Sequence, residues 1–463
     1  MTASAPTQDR APATSTAATP RRGGSSRLAW LDALRGIAAL AVVYTHLAFD
    51  GISEVYHATS AWVIAGTFGV LTFFVISGYI VPASLERKGS IRAFWVSRFF
   101  RLYPLWLLAL AAVAVLVKAG ERARPEFHAQ WESLLAAHLT MLQQLIRLPN
   151  VINVMWTLSY EMAFYFMVVA LFAVGAHRIS AEISVGFTTA SLVGGGGLIP
   201  TLFLLKQFGW KVMLLGVVLV FVVGLALSVT GKRVLAIAGA VLLGVTGFGL
   251  LALNEAIPPW FGLLLPATMF AGTAIYRAEH GQIARWKAIA AIGVLLLGGG
   301  ASAMLHNPPP DATFAEALRL NRPTLITMAL VAVAFAIGMA LRHRKIPRVL
   351  TWLGLISYST YLLHPLIHHA TPWYERTLPF GQRLGVFALW VVLLLLVSWA
   401  TYRLIEKPSQ DLGRKAIRAL DARFGPDRSA IGHRDDTSPV PPVTATEPSV
   451  TAAEPPVTAE ARS

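Results

Sequence analysis

LAWLDALRGIAALAVVYTHLAF, residues 28–49, is an apolar run long enough to cross a bilayer, and it carries Asp32, Arg35 and His46 within it. Charge in hydrocarbon costs a few kcal/mol on insertion scales and about 10 or more in some simulations, so such side chains face protein or a wet cavity. From Arg35 to His46 is eleven residues. Helical steps of about 100° bring the second side chain back to within about 20° of the first, roughly 16 Å further along the axis. Asp32 lies one turn before Arg35, on the same side. One face of one membrane helix therefore presents a carboxylate, a guanidinium and an imidazole. It is either a polar seam against neighbouring helices or part of a chemical site.

Composition fixes the class. The 463 residues are 55% hydrophobic and only 14% charged, where a soluble domain carries about 25% charged residues. Apolar runs near 20 residues recur along most of the length, which predicts an all-α, polytopic transmembrane bundle of about ten to twelve spans. The net charge of +15 does not call for nucleic acid. The basic residues flank the apolar runs, as the positive-inside rule produces. With no cysteine there are no disulfides, no thiolate metal site, no thioester-forming nucleophile and no S-acylation. No metal is expected.

Candidate spans fall at 28–49, 61–83, 102–118, 153–175, 182–206, 210–229, 233–253, 258–277, 287–304, 323–342, 347–369 and 384–405. Lys and Arg crowd every second loop: Arg21, Arg22 and Arg27 before the first span, Arg87 to Arg101 after the second, then Lys232 and Arg233, Arg277 to Lys287, and Arg342 to Arg348. Both termini are then cytoplasmic, in a multi-pass protein of the plasma (inner) membrane. Segment 119–152 is polar with an amphipathic piece around Leu134–Leu145, which lies on the surface or re-enters. The expected organisation is a disordered cytoplasmic tail at 1–26, a membrane domain at 27–410, a basic amphipathic surface segment at 411–425, and a disordered tail at 426–463 where Pro-Pro-Val-Thr-Ala occurs twice.

Further polar residues interrupt the apolar runs. Ser77 and Gly78 end the apolar part of span two and permit close helix approach. The following loop carries Arg98 and Arg101, one turn apart, before Tyr103 and Pro104. Two guanidiniums on one face suit a phosphate-bearing ligand such as coenzyme A, although topology alone also accounts for arginines there. Span four opens Trp156-Thr157-Leu158-Ser159-Tyr160-Glu161. A carboxylate at that depth is either a structural partner of an arginine or an acid/base group beside His46. Since this span should run inward, Glu161 and His46 both fall in the outer half of the bilayer. In span eleven, Ser357, Tyr361, His364 and His368 line one helical face. Tyr402 to Pro408 form a charged cytoplasmic boundary.

Arg35 and His46 with ten residues between them, Arg98/Arg101 before Tyr-Pro, residues 156–161, Ile-Ser-Tyr-Ser-Thr-Tyr-Leu-Leu-His at 356–364 and Ile-Glu-Lys-Pro at 405–408 resemble the membrane acyltransferase family 3, in order, over about 28–410. The resemblance implies about ten membrane helices and transfer of an acyl group, often acetyl, from cytoplasmic acyl-CoA to an extracytoplasmic or lipid-linked hydroxyl. It implicates Arg35, His46, Arg98 and Arg101. Leu71 departs from the Asp of many relatives, and Thr157 from the usual Ser.

The expected partners are membrane lipid, acyl-CoA as co-substrate and a hydroxyl-bearing glycan, glycolipid or small glycosylated metabolite. In the expected mechanism Arg98 and Arg101 hold the coenzyme A phosphates. His46 is a general base or carries the acyl group itself. Glu161 orients or charge-balances that imidazole, and Arg35 holds the cofactor arm or the developing oxyanion. Asp32, Ser159, Tyr361 and His364 line the substrate path. The alternative class is a transporter or flippase-like protein of envelope assembly, which buried charges among many spans also describe.

Overall fold

The computed structural model describes residues 28–118, 131–195, 202–254, 257–370, 378–425 and 427, and among them there is no β-strand. In chain order the helices are α1 (Ala29–Gly51), α2 (Ser53–Ser60), α3 (Ala65–Lys88), α4 (Ile91–Lys118), α5 (Trp131–Thr140), α6 (Gln143–Ile146), α7 (Trp156–Ala173), α8 (Ser180–Gly194) and α9 (Phe203–Ser228). There follow α10 (Arg233–Leu253), α11 (Pro259–Glu279), α12 (Arg285–His306), α13 (Phe314–Ala340), α14 (Arg348–Leu355), α15 (Ser357–Ala370), α16 (Phe380–Thr401) and α17 (Lys407–Phe424). The tails at 1–26 and 428–463 lie outside the described residues.

Nine of the described helical segments are long and apolar enough to cross a bilayer. The all-α membrane bundle is as expected, but three of the twelve expected spans differ. The span at 182–206 contains α8, a helix of 15 residues, too short for a hydrocarbon core of about 30 Å. The span at 347–369 is broken at Ile356 into α14 and α15, with the Ser357 hydroxyl bonded back to Gly354 O at 2.8 Å. α11 has 21 residues, but Pro259, Pro266 and Tyr276, with Arg277 and Glu279 at its end, make it less apolar than the nine. It is enclosed within the bundle, gripped by α3, α8 and α12.

Small residues set those contacts. A Cβ on Gly78 would sit 1.8 Å from Met269 O, and one on Gly272 would sit 2.2 Å from Val75 O. Lipid tails are as apolar as leucine, so close backbone approach rather than hydrophobic exclusion holds α3 to α11. Thr273 adds a 2.8 Å hydrogen bond to Gly78 O.

Segment 131–155 does not rest on the surface. Leu134, Ala137, Met141, Leu142, Leu145 and Ile146 are all 0–1% exposed. Tyr103 and Trp106 donate to the carbonyls of Leu139 and His138 at 2.7 and 3.1 Å, and the Asn254 amide donates to Leu145 O at 2.6 Å. Non-helical backbone at that depth is tolerated because protein groups satisfy it. α4 likewise starts earlier than expected: Arg98 and Arg101 stand in a helix, anchored by buried Ile91, Phe94 and Trp95, and not in a loop. The basic segment at 411–425 is part of α17, which follows α16 through a π-helical turn at Tyr402–Glu406 and packs on α4, Gly413 against Phe100.

Candidate active site

α1, α3, α4, α7 and α15 surround a cavity of about 90 Å³ whose wall includes Arg35, Arg98, Arg101, Glu161, Tyr165 and Tyr361. A water needs about 10–15 Å³ by such a measure, so the space is wet or ligand-sized. Arg98 is 7% exposed, and its guanidinium lies between the rings of Phe94 and Tyr165, at 5.1 and 5.0 Å. Glu161 Oε1 accepts from the Tyr165 hydroxyl at 2.5 Å and from Ser77 Oγ at 2.9 Å. Arg35 is 3.9 Å from Asp32, a loose pair that leaves its donors available. Three guanidiniums thus line the space with one carboxylate. Asp32 and the buried Glu406 stand near the same arginines outside that wall, so the guanidiniums offer an anion directed hydrogen-bond donors more than a net positive field.

The imidazoles form a second group. His46 and His364 lie with ring centres 5.1 Å apart and planes at 44°. His364 is fully buried, its Nδ1 2.8 Å from Tyr361 O. One turn further, His368 Nε2 meets Asp50 Oδ2 at 2.8 Å. Tyr361 connects the two groups. Its ring lines the cavity and packs on Phe73 at 5.7 Å and on His364 at 6.2 Å. Its hydroxyl shares a 2.7 Å hydrogen bond with Thr157 Oγ1, so the hydroxyl kept at position 157 has a partner.

These positions revise several expectations. Glu161 stands with Arg35 and Ser77, and its hydrogen bonds go to Ser77 and Tyr165 rather than to His46. Val154 and Met155 are already buried, so α7 begins inside the bundle, and Glu161 takes its partners from α3 and from its own helix. Ser159 stands behind the wall, 0% exposed, accepting the Gln144 N–H at 3.3 Å. Asp32 flanks Arg35, and His364 packs on His46; neither lines the cavity.

Ser77, Tyr165, Tyr358 and Glu406 were not expected at the site. Tyr165 follows Glu161 by four residues and so shares its helix face, a signal that sequence does contain. Tyr358 lines the cavity and donates to Leu102 O at 2.9 Å. Glu406 was read as a boundary charge, yet it is 4% exposed and hydrogen-bonded to Ser359, within the electrostatic reach of Arg35 and Arg101. The π turn that aims it inward has no sequence signature, and such turns are frequent at functional sites. Among the described residues no three His, Asp or Glu converge as metal ligands.

A helical bundle with an arginine-lined cavity joined through one tyrosine to paired imidazoles defines a polytopic membrane protein with a polar site among its helices. The chain belongs to acyltransferase family 3: the family model described as an acyltransferase domain matches residues 28–403. It is 32% identical over 146 residues to acyltransferase MdmB of Streptomyces mycarofaciens, covering 30% of this chain and 38% of that protein. It is 25% identical over 173 residues to putative O-acetyltransferase SACOL0978 of Staphylococcus aureus, 34% of this chain and 26% of that one. O-acetyltransferase OatA of Staphylococcus aureus is 24% identical over 436 residues, 85% of this chain and 59% of that one. The chain therefore spans less than two thirds of the length of these relatives. No solved structure matches.

Proposed function

We propose that this chain is a membrane O-acyltransferase. It takes an acyl group, acetyl in the simplest case, from acyl-CoA at the cytoplasmic face of the plasma (inner) membrane. It passes that group to a hydroxyl of a glycan, glycolipid or small glycosylated metabolite. The convergence of Arg35, Arg98 and Arg101 on one cavity inside the bundle carries this reading. In the proposed orientation, with the arginine-bearing start of α4 on the cytoplasmic side, the cavity lies on the donor side and His46 towards the acceptor side.

Arg98 and Arg101 bind phosphate oxygens, and Glu161 offsets part of the guanidinium charge. The acyl-pantetheine arm then runs past Phe73 and Tyr361 to the imidazoles. His46 stands roughly 16 Å along α1 from Arg35. That separation supports the cofactor arm, not the oxyanion, as the partner of Arg35. His46 takes the acceptor hydroxyl proton as the oxygen attacks the thioester carbonyl. The C–S bond breaks, and the departing thiolate takes the acceptor's proton from the imidazolium.

The test uses membranes containing the full chain, [14C]acetyl-CoA, and a panel of methyl glycosides, a short glycolipid and glycosylated metabolites. Label should move to at least one acceptor with wild type and to none with His46→Ala. Transfer by His46→Ala at the wild-type rate overturns the mechanism. Movement of an acceptor across sealed vesicles with no thioester cleavage overturns the enzyme reading in favour of a transporter.

A further inference from the structure

The paired imidazoles carry a consequence that holds whichever acceptor is used. His364 is fully buried, and its Nδ1 faces two carbonyl oxygens, Tyr361 O at 2.8 Å and Thr360 O at 3.3 Å. Carbonyls only accept, so Nδ1 carries the ring proton and Nε2 keeps its lone pair. That Nε2 is shut away from solvent without a hydrogen-bond partner. A buried acceptor left this way costs stability, and the polar ring beside it is His46, its centre 5.1 Å away. An N–H···N hydrogen bond between two imidazoles sets their ring centres about 5 Å apart. A half-turn of the His46 ring exchanges its nitrogen and carbon positions, and only hydrogen bonding chooses between the two.

We infer that His364 is a positioning residue: its Nε2 accepts the N–H of His46, which fixes the His46 tautomer and leaves the other His46 nitrogen unprotonated towards the acceptor hydroxyl. The surrounding groups leave this role to His364. The Tyr361 hydroxyl is engaged with Thr157 and Val154 O. Asp50 and His368 pair with each other one turn away, and Glu161 is held by Ser77 and Tyr165. In the transfer step His46 gains the acceptor proton and later gives it to the departing thiolate. His364 keeps its own proton, held by Tyr361 O, throughout. A neutral imidazole thus does for His46 what a carboxylate does in a Ser-His-Asp triad, without placing a further charge in the bundle.

The chemistry rests on the acyltransferase reading; the imidazole geometry does not, and two readouts separate them. The full chain in lipid nanodiscs is made as wild type, His364→Gln, whose amide reaches the Nε2 position, and both His364→Ala and His364→Leu, of which the better-folded serves as the loss variant. Carbethoxylation of His46 by diethyl pyrocarbonate, read by peptide mass spectrometry without substrate, should be alike in wild type and His364→Gln. It should be at least threefold slower in the loss variant. Release of thiol from acetyl-CoA, with water as acceptor, should lose at least thirtyfold in kcat in the loss variant, with KM within twofold. His364→Gln should recover at least tenfold of that. His46 labelling indifferent to residue 364 overturns the inference, and so, where wild type cleaves the thioester, does Gln turnover no better than the loss variant. The expected labelling pattern in a wild type that cleaves no thioester supports the imidazole pair while removing the acyl-CoA reading.

Discussion

Tyr165 donates a 2.5 Å hydrogen bond to Glu161 on its own helix, while its ring lies 5.0 Å from the Arg98 guanidinium. One side chain thus fixes both the cavity's carboxylate and one of its cations. Tyr165→Phe keeps the ring and removes the donor. A hydrogen bond to a charged group contributes about 1.5–3 kcal/mol, so KM for acetyl-CoA should rise at least about tenfold in steady-state thiol release. Tyr165→Leu also removes the cation–π contact and should be worse. Equal kinetics for wild type and Tyr165→Phe would show that the Glu161 position is held by Ser77 alone.

Arg98 and Arg101 are the proposed phosphate ligands. Arg98→Ala and Arg101→Ala should each raise KM for acetyl-CoA at least tenfold. With acetyl-pantetheine, which lacks the nucleotide, the variants and wild type should differ by less than threefold. Losses of equal size with both donors would mean that the arginines act on the bundle and not on phosphate.

The α17 helix is tied to α4 through Arg92, which is 3% exposed and donates to Asp421 Oδ1 and to Gly425 O, both at 2.6 Å. Arg92→Ala removes both bonds; Asp421 is 41% exposed, so water takes up its share and the cost should be about 1 kcal/mol. The detergent-solubilised protein should show a thermal midpoint a few degrees lower. Because α4 carries Arg98 and Arg101, KM for acetyl-CoA should rise with it.

Gly78 has no room for a side chain against Met269 O. Gly78→Val must separate α3 from α11, and well-folded protein should largely disappear from size-exclusion profiles. Gly249→Ala, on α10 with open space around the new methyl, should behave as wild type.

Arg383 donates two hydrogen bonds to Glu54, at 2.6 and 3.1 Å, and these hold the Glu54 carboxyl on α2 lower than the usual carboxylate range. A lowered folded value means the clasp is fully present above the ordinary carboxylate pKa of about 4.3 and is lost as pH falls through the folded value. A spin label at Ala58→Cys, clean because the chain has no cysteine, should therefore gain mobility only at strongly acid pH. In Glu54→Gln it should be mobile already at neutral pH.

By itself, the sequence determined that this is a helical membrane protein and which helix faces are polar. A misplaced charge in hydrocarbon is costly, and helical periodicity is local, so Arg35, His46 and the Ser357–His368 strip were legible as faces. The close approach at Gly78 was legible for the same kind of reason. Which face meets which was decided only by the tertiary structure. The partner Glu161 finds in Ser77 depends on α3 packing beside α7, and the entry of Glu406 on a π turn. The meeting of His46 with His364 depends on how α15 packs against α1. Each is a contact between segments far apart in the chain, set by packing and backbone satisfaction that no local pattern encodes.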